Sequence, residues 1–125
     1  MLMKSLKLKA SADDLNLAVL VSEPECAPKG IFQIVHGMCE HKERYAAFME
    51  YLSGHGYVCV IHDHRGHGES VKTPDDLGFM YKGGWRAMVE DVKVVADWAK
   101  AHYPGLKHVL LGHSMGSMVV RSFTK

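Results

Sequence analysis

A serine between two glycines is the feature of this sequence best suited to chemistry. The stretch from Gly112 to Gly116 reads G-H-S-M-G, with an apolar run before it and an apolar run of helical spacing after it. A strand turning sharply into a helix holds the serine near positive φ and brings its neighbours close together, which glycine permits because it lacks a Cβ atom. The Ser114 hydroxyl would stand beside the unpaired first amides of the helix, so this stretch predicts a nucleophile next to an oxyanion site. The same residues could also form a plain strand-to-helix connection.

A second candidate stretch, H-G-M-C-E-H at 36–41, follows a compact apolar run at 31–35. That run is typical of a strand buried on both faces, and open α/β sheets place their sites at the carboxyl ends of such strands. Cys39 falls in this loop. We expect it to be a bystander, because a nucleophilic thiol needs an adjacent base that the sequence does not place.

A third stretch, H-D-H-R-G-H-G-E-S at 62–70, allows two interpretations. It is similar to the H-x-H-x-D-H metal loop of β-lactamase-type hydrolases, but Gly66 stands where that loop has aspartate, and we expect no metal. The favoured interpretation is a tight loop in which Asp63 and Ser70 bind backbone groups, the glycines adopt positive φ and Arg65 pairs with a carboxylate.

The elements that would position these stretches alternate between strands and helices. Hydrophobic spacing predicts strands at 6–10, 15–21, 31–35, 57–61 and 108–111, and helices at 45–52, 85–102 and 115–123. An opening antiparallel hairpin followed by this alternation predicts an α/β fold, with a mostly parallel sheet and helices on both faces. Residues 1–125 contain no linker or repeat, so we expect part of a single domain.

Composition excludes several classes of function. The net charge is +1, which gives no long-range attraction to nucleic acid, and no apolar run is long enough to span a membrane. The first residues alternate lysine with leucine and do not form the apolar core of a secretory signal. Three cysteines without metal-type spacing are typical of free thiols in a reducing compartment, so we expect a cytoplasmic protein.

The three stretches, in this order, resemble the α/β-hydrolase fold. Within it, the chain is similar to the monoacylglycerol lipase and lysophospholipase branch, which shows H-G-x-x-E-H, D-x-x-G-H-G-x-S and G-H-S-M-G. The resemblance implies a serine hydrolase that cleaves carboxylic esters, such as monoacylglycerols or lysophospholipids, through an acyl-enzyme, without metal or organic cofactor.

The resemblance also assigns roles to residues. Ser114 would be the nucleophile, and the backbone N–H groups of Met38 and Met115 would form the oxyanion hole. The supporting residues implied are His36, Gly37, Gly112, His113 and Gly116.

Side-chain environments can be predicted for the neighbours of these residues. We expect His36 to hold the oxyanion loop and His113 to be packed and hydrogen-bonded beside the serine. His113 is not expected to act as the base, because adjacent side chains on so sharp a turn diverge. Glu40 suits the first turn of a helix. The side chains of Met38 and Met115 are expected to fill gaps in the core. The apolar stripe at 85–99 is also expected to be core.

In enzymes of this fold the nucleophile comes first along the chain, followed by the catalytic acid and then the histidine. The two remaining catalytic groups are therefore expected after Ser114. Only Arg121, Ser122, Thr124 and Lys125 are polar beyond Ser117, so we expect an amino-terminal part of the domain without its acid, its histidine or its cap. Such a piece would have little activity alone and an uncovered apolar sheet edge, and any peripheral membrane contact would come through the cap. Alternative functions are a peptidase, thioesterase or acyltransferase of the same fold, or a non-catalytic binding module.

Overall fold

A computed structural model describes residues 2–38, 40–81 and 83–124, with the backbone alone for Leu2. Its strands are β1 (Leu2–Lys9), β2 (Asn16–Glu23), β3 (Gly30–Val35), β4 (Tyr57–His62) and β5 (Lys107–Gly112). Its helices are α1 (Ala46–Gly54), α2 (Gly84–His102) and α3 (Met115–Thr124), with short 3₁₀ turns at Lys42–Tyr45 and Pro74–Asp76. Each predicted strand and helix is present, with ends that differ by a few residues.

The five strands form one mixed sheet in the order β1-β2-β4-β3-β5. The β1–β2 and β2–β4 pairs are antiparallel, while β3 pairs in parallel with both β4 and β5. Four strands therefore run in one direction and β2 opposes them, which confirms the expected α/β fold with an antiparallel hairpin at its start.

Helices cover both faces of the sheet because alternate strand residues are apolar on each side. On one face, Val95 and Ala99 of α2 pack against residues such as Val60 of β4. The same face continues to Val35, which packs with Val119 of α3. On the other face, α1 contributes Met49 to a cluster of buried residues, the others being Leu20, Ile34, Cys59 and Ile61.

The parallel register brings the ends of two strands together. Val35, the last residue of β3, pairs with Gly112, the last residue of β5. The loop after β3 and the turn after β5 therefore leave the sheet side by side, as the strand order of an open α/β sheet requires.

Strand β5 lies at the edge of the sheet that the described residues form. Val109 and Leu111 on this strand are 39% and 38% exposed, so the expectation of an uncovered apolar edge is confirmed for the described part of the chain. Among the helices built from these residues, none combines the length and apolarity needed to cross a bilayer.

Candidate active site

Ser114 occupies the turn between β5 and α3 in a strained conformation. Its φ is 57°, in the left-handed region that residues with a Cβ atom rarely adopt, and its side chain is exposed. A Cβ atom on Gly112 would lie 2.6 Å from the carbonyl oxygen of Gly116, and one on Gly116 would overlap the carbonyl oxygen of Val35. Both glycines are thus required by close backbone approaches around the serine.

Two backbone amides flank this serine. Met115 is the first residue of α3, so its N–H has no partner within the helix, and Met38 lies in the loop after β3. Neither N–H has a hydrogen-bond partner among the described residues. The two segments touch at Gly37, where a Cβ atom would lie 3.3 Å from Cβ of Ser114 and 3.1 Å from the carbonyl oxygen of His113. Two backbone donors without a partner in the described part of the chain thus belong to the two segments that meet at Ser114.

His36 holds the base of the loop after β3. Its Nδ1 lies 2.6 Å from the carbonyl oxygen of Gly37, so this nitrogen carries the proton, and Nε2 accepts the backbone N–H of His64 at 2.9 Å. In turn, Nε2 of His64 donates a hydrogen bond to the carbonyl oxygen of His36 at 2.8 Å. Burial lowers the pKa of His36, which favours the neutral ring that these bonds need.

Glu40 links this loop to the turn that carries the serine. Its Oε1 accepts hydrogen bonds from the backbone N–H of Gly37 at 2.6 Å, the hydroxyl of Tyr45 at 2.8 Å and Nδ1 of His113 at 3.3 Å. Partial burial opposes ionisation, but these bonds lower the pKa of Glu40 to about 2. Its expected place in the first turn of a helix is wrong, because the 3₁₀ turn begins only at Lys42 and the carboxylate faces the loop instead.

His113 is hydrogen-bonded, as expected, but it is not packed. Its side chain is 66% exposed, and its recorded partner is Glu40. The packed environment predicted for it is absent from the described residues because β5 is an edge strand there, with nothing described beside it.

The loop that follows β4 is held by its own polar side chains. The Asp63 carboxylate accepts two backbone N–H groups, at 2.7 and 2.9 Å, and the Ser70 hydroxyl donates to the Asp63 carbonyl at 2.7 Å. Gly66 and Gly68 have φ values of 76° and 50°. Arg65, fully buried, pairs with a buried carboxylate of α2 at 2.7 Å. These contacts are those of the tight loop predicted from the sequence.

The ammonium group of a lysine lies among three carboxylates that are close enough together to hold a metal ion. Glu43, Asp63 and Glu69 each bring one carboxylate oxygen within 4.8 Å of the others. The ammonium of Lys42 lies 2.7, 3.0 and 2.6 Å from oxygens of these three residues in turn. Within the described part of the chain no three histidines converge in this way. Sequence reasoning did not identify Lys42, since a lysine next to glutamates ordinarily indicates a solvated surface.

An apolar cavity of about 840 Å³ opens beside Ser114. Methionines dominate its wall, and the full lining is Met38, His67, Gly78, Met80, Trp85, Met88, Ser114, Met115 and Met118. A second cavity of about 530 Å³ shares His67 and Gly78 with it and is lined on its other side by Glu40, His41 and Glu43.

Two expectations about core side chains are corrected here. Met38 is 62% exposed and Trp85 is 40% exposed, and both line the cavity instead of filling the core. The rest of the stripe at 85–99 is core as expected, with these residues fully buried: Met88, Val92, Val95 and Ala99. Met115 is partly buried against Val35 and its neighbours, as expected. Met38 lies on a loop and Trp85 at the open end of α2, where no element of the described chain covers them.

Cys39, expected to be a bystander in the loop after β3, lies outside the described residues. The hydroxyl of Ser114 has no hydrogen-bond partner among the described residues, so none of them is in contact with it as a general base.

Comparisons with known proteins agree with this geometry. Residues 26–125 match the family described as serine aminopeptidase, S33. Human monoglyceride lipase is 34% identical over 109 residues, covering 87% of this chain and 34% of that protein. The monoacylglycerol lipase of Mycolicibacterium smegmatis is 31% identical over 100 residues, covering 80% of this chain and 34% of that protein.

The crystal structure of a thermostable carboxyl esterase from Bacillus coagulans, in complex with glycerol, superposes on 98% of this chain with a TM-score of 0.90 and 31% identity. That superposition covers 40% of the esterase, and the chain spans about a third of the length of the curated relatives above. The strand order, the turn at Ser114 and these matches together show that the chain belongs to the serine aminopeptidase S33 family and has the α/β-hydrolase fold.

Proposed function

We propose that this chain carries the nucleophile and the oxyanion hole of a serine hydrolase that cleaves carboxylic esters. The observation that supports it most is the position of Ser114. The serine has a strained φ of 57° and an exposed side chain, and it lines an apolar cavity together with Met38 and Met115, whose N–H groups have no partner among the described residues. Strain of this kind persists where the surrounding structure enforces it, and it is concentrated at functional sites.

In the proposed reaction, Oγ of Ser114 attacks the ester carbonyl while a general base takes the hydroxyl proton. The negative charge moves to the carbonyl oxygen, where the N–H groups of Met38 and Met115 stabilise it. Collapse of this intermediate breaks the bond to the alcohol, which leaves with a proton, and an acyl-enzyme remains on the serine. Water then attacks the acyl group by the same route and releases the carboxylic acid.

The base and the acid that orients it are expected after Ser114 in the chain order of this fold, outside the described residues. The buried His36, His62 and His64 do not serve as the base, because none of them is hydrogen-bonded to the serine hydroxyl and all three are fully buried whereas Ser114 is exposed. This chain's share of the chemistry is therefore to present the nucleophile and receive the oxyanion.

The proposed substrate class is a monoacylglycerol or a lysophospholipid. The cavity beside Ser114 has a wall of methionine and tryptophan, which suits an acyl chain because flexible thioethers adapt to apolar ligands of varied shape. Relatives named monoglyceride lipase and phospholipase add support, the latter being phospholipase YtpA of Bacillus subtilis, 31% identical over 99 residues.

The test is covalent labelling of the natural full-length protein with a fluorophosphonate probe, followed by intact mass measurement. We expect one adduct, and none on Ser114→Ala, because the probe needs an activated serine hydroxyl. Ser122→Ala on the exposed face of α3 is the matched control and should label as the parent does. Labelling of Ser114→Ala equal to that of the parent would contradict the proposal.

A peptidase of the same fold is the second candidate, supported by the family description, which names an aminopeptidase. Turnover of a monoacylglycerol, a lysophospholipid, an acyl thioester and an aminoacyl-arylamide by the full-length protein would separate the alternatives. We expect the two lipid esters to have the highest kcat/KM. A preference for the arylamide would move the assignment to a peptidase.

A further inference from the structure

We propose that Glu40 is a positioning residue that sets the geometry of the oxyanion hole by joining the loop of Met38 to the turn of Ser114. The inference rests on the proposed function and adds a residue to which neither the sequence motifs nor the comparisons give this role. Glu40 acts through its neighbours and is not required to touch the substrate.

The geometry that supports the inference is the convergence of three donors on one oxygen. The backbone N–H of Gly37, the hydroxyl of Tyr45 and Nδ1 of His113 come from the loop after β3, the 3₁₀ turn before α1 and the turn after β5. The Glu40 side chain is only 10% exposed, so these bonds are partly shielded from water. One carboxylate oxygen thereby adds a side-chain link among three segments, two of which are also joined by the backbone bond from the His113 N–H to the Val35 carbonyl oxygen at 3.1 Å.

The other oxygen of Glu40 is also occupied. Nε of Arg44 lies 3.0 Å from Oε2, one helical turn further along the chain. The carboxylate is therefore held from both sides and cannot rotate away from Gly37 without breaking an ion pair. A charged acceptor forms stronger hydrogen bonds than a neutral one, which suits a group that must maintain a fixed position.

The bond to Gly37 holds the peptide just before the one that carries the Met38 N–H. Glu40 accepts the N–H of Gly37, which fixes the His36–Gly37 peptide, while Nδ1 of His36 donates to the Gly37 carbonyl oxygen at 2.6 Å and fixes the next peptide. The N–H of Met38, at the other end of that second peptide, has no partner among the described residues. The bond to His113 is made by the side chain of the residue just before Ser114. Glu40 thus links the segment that carries Met38 to the residue that precedes the serine, and we expect this link to influence the separation of the hydroxyl from the proposed donor at Met38.

A positioning role predicts a specific kinetic signature. Misplaced donors weaken binding of the transition state more than binding of the substrate, so kcat falls while KM stays nearly constant. Loss of one whole oxyanion donor costs on the order of 10²–10³ in kcat, and a displaced donor should cost less, roughly 10–100-fold.

The experiment compares Glu40→Gln and Glu40→Ala in the natural full-length protein, using a monoacylglycerol ester and the fluorophosphonate labelling rate. We expect Glu40→Ala to lower kcat and the labelling rate roughly 10–100-fold, with KM within about twofold of the parent. Glu40→Gln keeps the acceptor oxygen without its charge and should restore part of the loss. Glu50→Gln makes the same carboxylate-to-carboxamide change at an exposed position of α1 and is the matched control. Its kcat, KM and labelling rate should equal those of the parent.

The outcomes separate this inference from the proposed function. Unchanged kcat in Glu40→Gln and Glu40→Ala overturns the positioning role, as does a raised KM at unchanged kcat, which indicates substrate contact. A loss of kcat that only follows a loss of folded protein, measured by the thermal midpoint, also overturns it. Full labelling of Ser114→Ala, in contrast, contradicts the proposed function itself.

Discussion

Gly116 shows how a single absent atom shapes the site. A Cβ atom there would overlap the carbonyl oxygen of Val35 and lie 2.6 Å from that of His36, both backbone atoms that cannot rotate away. The first turn of α3 lies directly against the end of β3 for this reason. The proposed oxyanion donors are brought together by that contact, so the glycine matters for geometry as well as for stability.

We therefore expect Gly116→Ala to push α3 away from β3, lower the free energy of unfolding by about 1–3 kcal/mol or more, and abolish fluorophosphonate labelling. Gly54→Ala is the matched control, because nothing lies within 4 Å of the added Cβ atom and the residue is at a helix end. Urea unfolding and the labelling rate of the full-length protein measure both effects. Normal labelling of Gly116→Ala would show that the close approach is dispensable.

Among the elements, the loop after β4 is tied to α2 and to the turn between β1 and β2 through one buried side chain. Nε of Arg65 lies 2.7 Å from Asp91 of α2, and Nη1 lies 3.0 Å from Asp13. Burial opposes the charged guanidinium, but the hydrogen bonds that Arg65 donates to Asp91 and Asp13 raise its pKa. This network holds the loop that supplies His67 to both cavities.

Removing one partner of a buried pair leaves an uncompensated charge, which typically costs 3–5 kcal/mol. We expect Asp91→Ala to lower the free energy of unfolding by an amount at the lower end of this range, because the ion pair between Arg65 and Asp13 remains. Glu90→Ala, one position earlier on the exposed face of α2, removes the same charge and should change stability by less than about 0.5 kcal/mol. Equal urea midpoints for the two variants would contradict the role of the buried pair.

For the whole molecule, three neighbouring buried histidines are expected to make stability depend on pH. His36, His62 and His64 are each fully buried, and His62 has no hydrogen-bond partner for either ring nitrogen among the described residues. Burial lowers the pKa of all three below 6.5, that of His62 to about 3. The folded protein keeps these rings neutral at a pH where the unfolded chain takes up protons.

The sign of the effect follows from this difference. The stabilising contribution is complete above pH 6.5, the unfolded value, and is lost as the pH falls toward about 3, the folded value of His62. Within this range, the proton that His62 takes up only in the unfolded chain lowers the free energy of unfolding by up to about 1.4 kcal/mol for each unit by which the pH falls. We expect urea unfolding to show lower stability at about pH 5.5 than at about pH 7.

Two variants give this prediction its control. His62→Leu should reduce the change in the free energy of unfolding with pH by up to the contribution of one proton. His55→Gln, at the exposed position just after α1, should leave the pH dependence of stability unchanged. A stability that is constant between about pH 7 and about pH 5.5 would contradict the assignment of neutral buried rings.

The sequence by itself determined the features that depend on neighbours along the chain. Alternating and helical apolar spacing indicated every strand and helix, because each element buries a face of fixed period. The glycines around Ser114 indicated the sharp turn, because few other residues tolerate such close backbone approach. The α/β-hydrolase resemblance followed from motifs that are each local.

Only the tertiary structure decided the contacts between distant segments. Glu40 meets His113 across 73 positions of sequence, and Lys42 meets Glu69 across 27, so no local pattern could show that these side chains hold the site together. The exposure of Met38, Trp85 and His113 was likewise beyond local prediction, because the same apolar or aromatic residue is core or cavity wall depending on which element packs over it. Burial is a property of the assembled sheet and helices, whereas periodicity is a property of the chain.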